Sequence, residues 1–133
     1  MMETLHITTN AREELIDITG QVRRLVREQQ WESGAVLLYS PHTTSAVTVN
    51  EGADPDVQRD IEVNLRKLVP QRGDYRHAEG NSDAHIKTSL VGPDQLLIVE
   101  GSDVRLGTWQ RIFFCEFDGP RERKLWVKWL GNV

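Results

Sequence analysis

Side chains able to do chemistry are concentrated in the stretch from residue 39 to residue 55. A Ser-Pro-His-Thr-Thr turn supplies the imidazole of His42, and the alternating run after it ends on an amide and two carboxylates, Asn50, Glu51 and Asp54. A purely structural hairpin does not need this combination of groups. The stretch therefore predicts a functional site that draws on the two ends of one strand.

Three histidines lie in or beside polar turns and are candidate metal ligands. His42 follows a proline, whereas His77 and His85 lie eight residues apart across a glycine-containing loop. Three imidazoles, completed by water or a carboxylate, make the open tetrahedral site of a catalytic zinc. Ordinary hydrogen-bonded or exposed histidines fit the same spacing, so both interpretations remain open.

Glu116 lies inside the apolar run 112–117, so its carboxylate is expected to be buried. An unpaired buried carboxylate costs on the order of several kcal/mol, which requires a partner. Arg121, a nearby histidine or a metal ion would serve. Gln110 has the same strand parity and could present its amide to the same cavity. The sequence is compatible with a structural Arg–Glu pair and equally with a catalytic carboxylate.

Further groups near these positions could bind a phosphate. Lys87 lies on a predicted strand and is either a site cation or a solvated lysine. The glycine-containing loops at 79–82 and 118–121 could offer backbone amides, and the second also offers the guanidinium of Arg121. Neither loop is a P-loop or a dinucleotide-binding fingerprint. Trp109 is expected in the core or at an interface.

The hydrophobic pattern predicts the elements that position these residues. In chain order it predicts strands over 3–9 and 15–19, a helix over 20–30 capped by Thr19, strands over 35–39 and 44–50, a helix from Asp54 to Pro70, a polar loop over 71–83, and strands over 85–91, 95–99, 108–117 and 124–130. Strand 35–39 is continuously apolar and is expected to be covered on both faces. Two helices with an antiparallel second half indicate an α+β fold.

Composition restricts the class of protein. At 133 residues the chain is one domain's length. Its net charge of -4 gives no overall field for nucleic acid or an anionic membrane, and no apolar run approaches the length of a membrane span. The single cysteine, Cys115, excludes an intramolecular disulfide and is expected to be a buried thiol in a reducing compartment. The N-terminus lacks a signal-peptide pattern. We therefore expect a cytoplasmic protein without nucleic-acid or membrane partners.

Several dispersed motifs are specific in order and spacing. They are Ser40-Pro41-His42-Thr43-Thr44, Asn50-Glu51, Asp54-Pro55, Tyr75, His77, Glu79-Gly80-Asn81, Ala84-His85-Ile86-Lys87, Gly107-Thr108-Trp109-Gln110 and Cys115-Glu116-Phe117-Asp118-Gly119-Pro120-Arg121. Together they resemble the YjbQ-type family, called the secondary thiamine-phosphate synthase family, over nearly the whole chain.

The resemblance implies a single domain over residues 1–133, with a mostly antiparallel sheet folded into a pseudobarrel with two helices. It also implies a homotrimer whose site pockets lie near subunit interfaces. The implied catalytic residues are His42, Asn50, Glu51, Asp54, Asn81, Gln110 and Glu116. Matching positions suggest that Thr43, Thr44, Lys87, Ser89 and Arg121 bind substrate, and that His42, His77 and His85 are the site imidazoles and metal ligands.

The activity attached to the family is thiamine-phosphate synthesis, in which a thiazole phosphate nitrogen displaces diphosphate from an aminopyrimidine methyl diphosphate. The implied cofactor is a divalent metal, either zinc at the histidines or magnesium with the diphosphate, and no organic cofactor is expected. Two competing hypotheses use the same residues. One is a metal-assisted hydrolase of a small metabolite with Glu51 or Glu116 as base. The other is a trimer that binds a metal or small molecule without turnover.

Overall fold

A computed structural model describes residues 2–131, which form eight strands and three helices. The elements are β1 (Met2–Thr8), β2 (Glu14–Asp17), α1 (Thr19–Glu28), β3 (Gly34–Tyr39), β4 (Ser45–Glu51), α2 (Pro55–Leu68), α3 (Ser82–Val91), β5 (Asp94–Glu100), β6 (Asp103–Val104), β7 (Gln110–Glu116) and β8 (Glu122–Gly131). The described part of the chain therefore has the predicted α+β composition, with one helix more than predicted. None of these helices has the length and apolarity needed to span a bilayer.

The strands form two sheets whose ladders are all antiparallel. The larger sheet has the order β1-β8-β3-β5-β6, and the smaller has the order β2-β7-β4. The sheet structure curls into a half-barrel. This arrangement places the paired strands β4 and β7, which carry the candidate site residues Asn50, Glu51, Gln110 and Glu116, side by side in full register from Ser45–Glu116 to Glu51–Gln110.

The main apolar core lies on the inner faces of both sheets and includes α1. Successive side chains of a strand point to opposite faces, so Val36 and Leu38 of β3 enter this core together with Leu125 and Val127 of β8. β3 is central, as predicted, because it pairs with both β5 and β8. The expectation that both its faces are covered is wrong for this chain alone, since Tyr39 on the outer face is 41% exposed.

A second, smaller core covers the opposite face of the three-stranded sheet. Ala46 of β4 and Cys115 of β7 pack there against Ala84 of α3, with Phe117 and partly buried Leu65 of α2 beside them. Burial raises the pKa of the Cys115 thiol to about 12, so the predicted buried thiol is confirmed and is protonated at neutral pH.

The predicted strand over 85–91 is wrong, because these residues belong to helix α3. Their alternating polarity resembles a half-buried strand. The face that α3 buries is formed by Asp83, Ala84, Lys87 and Thr88, which has helical spacing but is half charged. An apolar pattern therefore does not reveal it.

Local capping explains where the other two helices begin. Asp54 caps α2 as predicted, since its Oδ1 accepts from the Asp56 amide at 2.9 Å and Pro55 occupies the first turn. The predicted N-cap of α1 is wrong. Thr19 is already helical, and its hydroxyl instead accepts from the Ile112 amide at 2.8 Å. The Asp17 carboxylate accepts from the Thr19 amide at 2.9 Å and so satisfies a free donor of that helix start.

Candidate functional site

Glu116 is fully buried, and its partner is Arg123 of β8 rather than Arg121. Arg123 donates from Nε to Glu116 Oε1 at 2.8 Å and from Nη2 to Oε2, so the pair is bidentate. Arg123 Nη2 also donates to Thr44 Oγ1 at 2.9 Å. The guanidinium is itself only 4% exposed. This is the structural Arg–Glu pair allowed by the sequence, with a different arginine.

Two neutral donors complete the hydrogen bonding of the Glu116 carboxylate. Thr9 Oγ1 donates to Oε1 at 2.8 Å, and the Asp118 amide donates to Oε2 at 3.0 Å. Burial alone would raise the pKa of Glu116, but the hydrogen bonds and the charge of Arg123 outweigh it and hold the pKa below its ordinary value. Glu116 is therefore an ionised, fully bonded carboxylate, which suits it to hold neighbouring groups in place.

His42 lies beside this pair, in the turn between β3 and β4. Its Nε2 accepts a hydrogen bond from the Lys124 backbone amide at 2.9 Å. Burial and then the charge of Arg123 lower the pKa of His42. Ser40 stabilises this turn, because its hydroxyl donates a hydrogen bond to the Ser45 carbonyl oxygen at 3.1 Å. Thr43, at the tip of the same turn, is exposed.

A chain of polar contacts joins this region to the start of α3. Asn81 Nδ2 donates to Asp118 Oδ2 at 2.9 Å, and Arg121 Nη2 donates to the same oxygen at 2.8 Å. Asp118 in turn holds Glu116 through its backbone amide. Three of the predicted site residues, Asn81, Glu116 and Arg121, are thus connected through Asp118, a residue for which the sequence suggested no separate role.

Lys87 does not face an open site. It is buried on the inner side of α3, where Nζ donates to Asp83 Oδ2 and to Glu13 Oε1, both at 2.9 Å. Arg12 adds a second cation to Asp83 at 3.0 Å. Both predicted roles, a site cation or a solvated strand lysine, differ from this placement. Ser89, two residues on, is exposed and donates to the His85 carbonyl at 3.0 Å.

His77 and His85 come together, as their loop spacing suggested. Their ring centroids are 5.6 Å apart and the rings meet edge to face. They line an open cleft of about 480 Å³ whose walls are Asp74, Tyr75, Arg76, His77, Ser82, His85 and Ile86. Glu79 lies 3.6 Å from His77 Nε2. His42 is not among the lining residues, and within residues 2–131 no three His, Cys, Asp or Glu side chains are arranged to hold a metal.

The remaining predicted residues lie at the other end of the β4–β7 pair. Asn50 and Glu51 end β4, and Gln110 is opposite Glu51. The side chain of Glu51 accepts from the Asp54 amide at 3.2 Å, and Gln110 Oε1 accepts from the Gly107 amide at 2.7 Å. Trp109 is 63% exposed at the same end, so it does not lie in the core of this chain, and its place at an interface stays a prediction.

Register separates the two sets of residues. Glu116 pairs with Ser45, whereas Gln110 pairs with Glu51, so the sets are six strand positions apart. At about 3.3 Å per residue the separation is roughly 20 Å. Gln110 does share a strand face with Glu116, but it is exposed at the far end and cannot reach the same cavity. The structure therefore separates Asn50, Glu51 and Gln110 from the surroundings of Glu116.

Sequence reasoning missed Arg123, Thr9 and Asp118. A signal for Arg123 was present, because it shares strand parity with buried Leu125 and Val127. An arginine on the apolar face of a strand needs a buried carboxylate. No comparable signal marks Thr9, which reaches Glu116 only because the end of β1 runs beside the start of β8.

Comparison with known proteins gives one consistent family. The profile of the family described as UPF0047 protein YjbQ-like matches residues 3–132. The UPF0047 protein YugU of Bacillus subtilis is 48% identical over 132 residues, covering 98% of this chain and all of YugU. A UPF0047 protein of Methanocaldococcus jannaschii is also 48% identical over 132 residues, covering 99% of this chain and 96% of its own length.

Solved structures show the same fold. An uncharacterised conserved protein of the YjbQ/UPF0047 family from Clostridium acetobutylicum is 51% identical, with a TM-score of 0.92 over 95% of this chain and 98% of its own. A hypothetical protein from Aeropyrum pernix is 36% identical, with a TM-score of 0.93 over 99% of both chains.

Proposed function

The chain belongs to the UPF0047 family of YjbQ-like proteins, and from this premise we propose that it is an enzyme of the thiamine-phosphate synthase type. In this reaction a thiazole phosphate nitrogen forms a bond to the methylene carbon of an aminopyrimidine methyl diphosphate, and diphosphate leaves with the electron pair of the broken C–O bond. We propose it as a secondary activity, and the substrate class is a small phosphorylated compound.

The cleft at His77 and His85 is the observation that carries the proposal. Its volume of about 480 Å³ lies within the range typical of small-ligand sites. Tyr75 and Ile86 give it flat and apolar walls suited to a heterocycle, and Arg76 supplies a cation for phosphate oxygens. Diphosphate transfer depends on positioning and on charge stabilisation of the leaving group, and these are the two properties that such a lining can supply.

A divalent metal fits the donors of this cleft in part. His77 and His85 supply two nitrogen donors of the kind zinc prefers. Glu79 lies beside His77, but within residues 2–131 these three side chains are not arranged to hold an ion together. When bound, such an ion would provide Lewis-acid stabilisation of phosphate oxygens. A further protein ligand would have to come from another chain or be replaced by water.

We also propose that the protein is a homotrimer. The outer face of the larger sheet leaves a contiguous apolar surface exposed, and its side chains are neighbours across β8, β3 and β5. The apolar residues of this sheet face are Ala35, Leu37, Tyr39, Leu96, Ile98, Trp126 and Leu130, and the exposed Lys128 lies among them opposite Leu37. The rings of Tyr39 and Trp126 stack on this face with their centroids 6.1 Å apart. Large exposed apolar patches mark protein interfaces, which supports association through this surface.

The test measures thiamine-phosphate formation and metal content on the same untagged protein. His85→Ala is compared with wild type and with His6→Ala, which changes an exposed histidine of β1 outside the cleft. The proposal predicts product from both substrates with wild type and His6→Ala, and a loss of at least roughly a hundredfold with His85→Ala. Absence of product from wild type under any tested divalent metal would reject it.

A metal-assisted hydrolase is the second candidate, and the contact between His77 and Glu79 favours it. A carboxylate beside a ligating histidine orients the ring and raises its basicity. Release of inorganic phosphate or of an amine from small metabolites, with dependence on added zinc and on Glu79, would support this candidate over transfer. A ligand that co-purifies and is never converted would instead support a binding protein.

A further inference from the structure

We infer that His42 is a fixed, uncharged hydrogen-bond donor that presents its Nδ1–H to an anionic oxygen of a ligand bound beside the Glu116–Arg123 pair, outside the cleft at His77 and His85. The ring of His42 then has one tautomer, and its hydrogen bond to the ligand has one direction, from Nδ1–H to the ligand oxygen. This assignment rests on the proposed function only for the identity of the ligand, a phosphorylated compound. The tautomer itself follows from contacts within the chain.

The Lys124 backbone fixes where the proton of His42 lies. Its amide can only donate, and it lies 2.9 Å from Nε2, so Nε2 must be the unprotonated, accepting nitrogen. A neutral imidazole with an accepting Nε2 carries its proton on Nδ1. The amide belongs to a regular strand that pairs with both β1 and β3, so the donor cannot easily turn away. The ring is therefore held by a rigid element.

The charges around His42 disfavour a second proton on the ring. Burial lowers the pKa of His42, and the guanidinium of Arg123 and then the ammonium of Lys124 lower it further. Glu116 acts in the opposite direction, but its two oxygens are already bonded to Arg123. One carboxylate thus faces two cations, and the surroundings favour a neutral ring together with an anionic ligand.

Nδ1 is the only ring nitrogen still able to meet a ligand. Among residues 2–131 it makes no hydrogen bond, and the ring is partly exposed at the surface. A donor that is neutral and already oriented stabilises developing negative charge without a change of protonation. The same geometry opposes metal binding by His42, since Nε2 is occupied and Nδ1 would have to lose its proton.

Nitrogen-15 NMR of the labelled wild-type protein tests the tautomer without an activity assay. Two-bond proton–nitrogen spectra near neutral pH should show His42 protonated on Nδ1 alone. Addition of inorganic diphosphate should shift the Nδ1–H resonance, and addition of zinc should leave its proton in place. An Nε2–H tautomer, an imidazolium, a resonance insensitive to diphosphate, or loss of the Nδ1 proton to zinc would each overturn the inference.

Two amide variants separate the two nitrogens. His42→Asn places an amide near the Nδ1 position and keeps the donor, whereas His42→Gln reaches the Nε2 position and keeps only the contact to Lys124. Because a hydrogen bond to a charged group contributes about 1.5–3 kcal/mol, His42→Gln should weaken diphosphate binding by roughly 10- to 100-fold, and His42→Asn should weaken it much less. Equal or reversed effects would contradict the donor role.

The outcomes also distinguish this inference from the proposed reaction. A diphosphate-sensitive Nδ1–H in a protein that makes no thiamine phosphate would leave the donor role standing and reject the reaction. Formation of thiamine phosphate by a protein with His42 in the other tautomer would support the reaction and reject the donor role. The wild-type spectrum alone decides the tautomer, so the inference remains testable if either variant fails to fold.

Discussion

The side chain of Lys87 is 1% exposed and bonds the carboxylates of Asp83 and Glu13, and Arg12 also contacts both. Removing one partner of a buried ion pair typically costs about 3–5 kcal/mol when the other charge is left uncompensated. Because Arg12 still compensates part of the charge, we expect Lys87→Met to lower the free energy of unfolding by about 3 kcal/mol, the lower end of this range, in urea denaturation. Lys67→Met, on the exposed side of α2, should change it by less than about 0.5 kcal/mol. Similar small losses in both would show that Asp83 and Glu13 are satisfied without the lysine.

Glu116 makes stability depend on pH in a defined direction. Its pKa is lower in the folded protein than in the unfolded chain, so the unfolded state binds the proton more readily. Its contribution is therefore complete above the ordinary carboxyl pKa of about 4.3 and is lost as the pH falls through the folded value.

Glu116→Gln isolates this contribution. We expect its free energy of unfolding to be lower at neutral pH and to fall less steeply than that of wild type as the pH drops below about 4.3. The depressed pKa of Asp83 contributes an acid loss of the same sign, but it is shared by both proteins and cancels in the difference. Parallel pH curves for the two proteins would contradict a paired, ionised Glu116.

Two glycines allow a matched comparison at the level of elements. Gly119 lies in the connection between β7 and β8, where an added Cβ would meet the Ala11 carbonyl oxygen and come within 2.8 Å of Glu116 Cγ and Thr9 Oγ1. Gly20 lies in the first turn of α1, and nothing is within 4 Å of its added Cβ. The connection is therefore packed directly against the side chain of Glu116, whereas α1 has space for a methyl group at position 20.

We expect the two Gly→Ala changes to have opposite signs. Gly119→Ala should destabilise by about 1–3 kcal/mol through overpacking. Gly20→Ala should stabilise by about 0.5–1 kcal/mol, because alanine loses less backbone entropy in a helix. Thermal unfolding of both variants beside wild type measures this. A neutral Gly119→Ala would show that the connection can move away from Glu116 at little cost.

Elements whose buried face is apolar were predictable from the sequence, and α3 was not. Strand β3 and helix α2 follow from their apolar patterns and from the Asp54–Pro55 start. Helix α3 buries Asp83 and Lys87, whose charges are neutralised by Arg12 and Glu13 some 70 positions earlier. Long-range pairing of this kind leaves no local periodicity, so the same residues appear as an alternating strand.

The sequence indicates candidate site residues, whose roles stay predictions, but it does not indicate how they are arranged. Chemical type and motif order indicated His42, His85, Glu51 and Glu116. Which of them meet depends on strand register and on the partners of each buried charge. Register is fixed by packing across the whole sheet, and it is this that places Glu51 and Glu116 at opposite ends of the β4–β7 pair.

The outer sheet face gives a prediction for the whole molecule. Ile98 is 61% exposed on the β5 side of this surface, so Ile98→Lys should weaken association by roughly tenfold or more if copies of the chain pack there. Leu68→Lys is the matched control, since Leu68 is 71% exposed but lies on α2. Light scattering after size exclusion should show a trimer for wild type and the control and smaller species for Ile98→Lys. A monomeric wild type would reject the homotrimer.

The β4–β7 pair also determines what a mixture of inactive chains can do. A small substrate cannot touch both Glu51 and His42 of one chain, because His42 lies beside Glu116, and Glu51 lies about 20 Å from Glu116 along the strands. If both act on the same molecule, they must come from adjacent chains. Co-assembled Glu51→Gln and His42→Ala subunits would then regain about a quarter of the wild-type activity, because random mixing joins an intact half from each chain at one interface in four. A complete absence of activity in the mixture would mean that each chain works alone. A defective copy could then not be rescued by its neighbours.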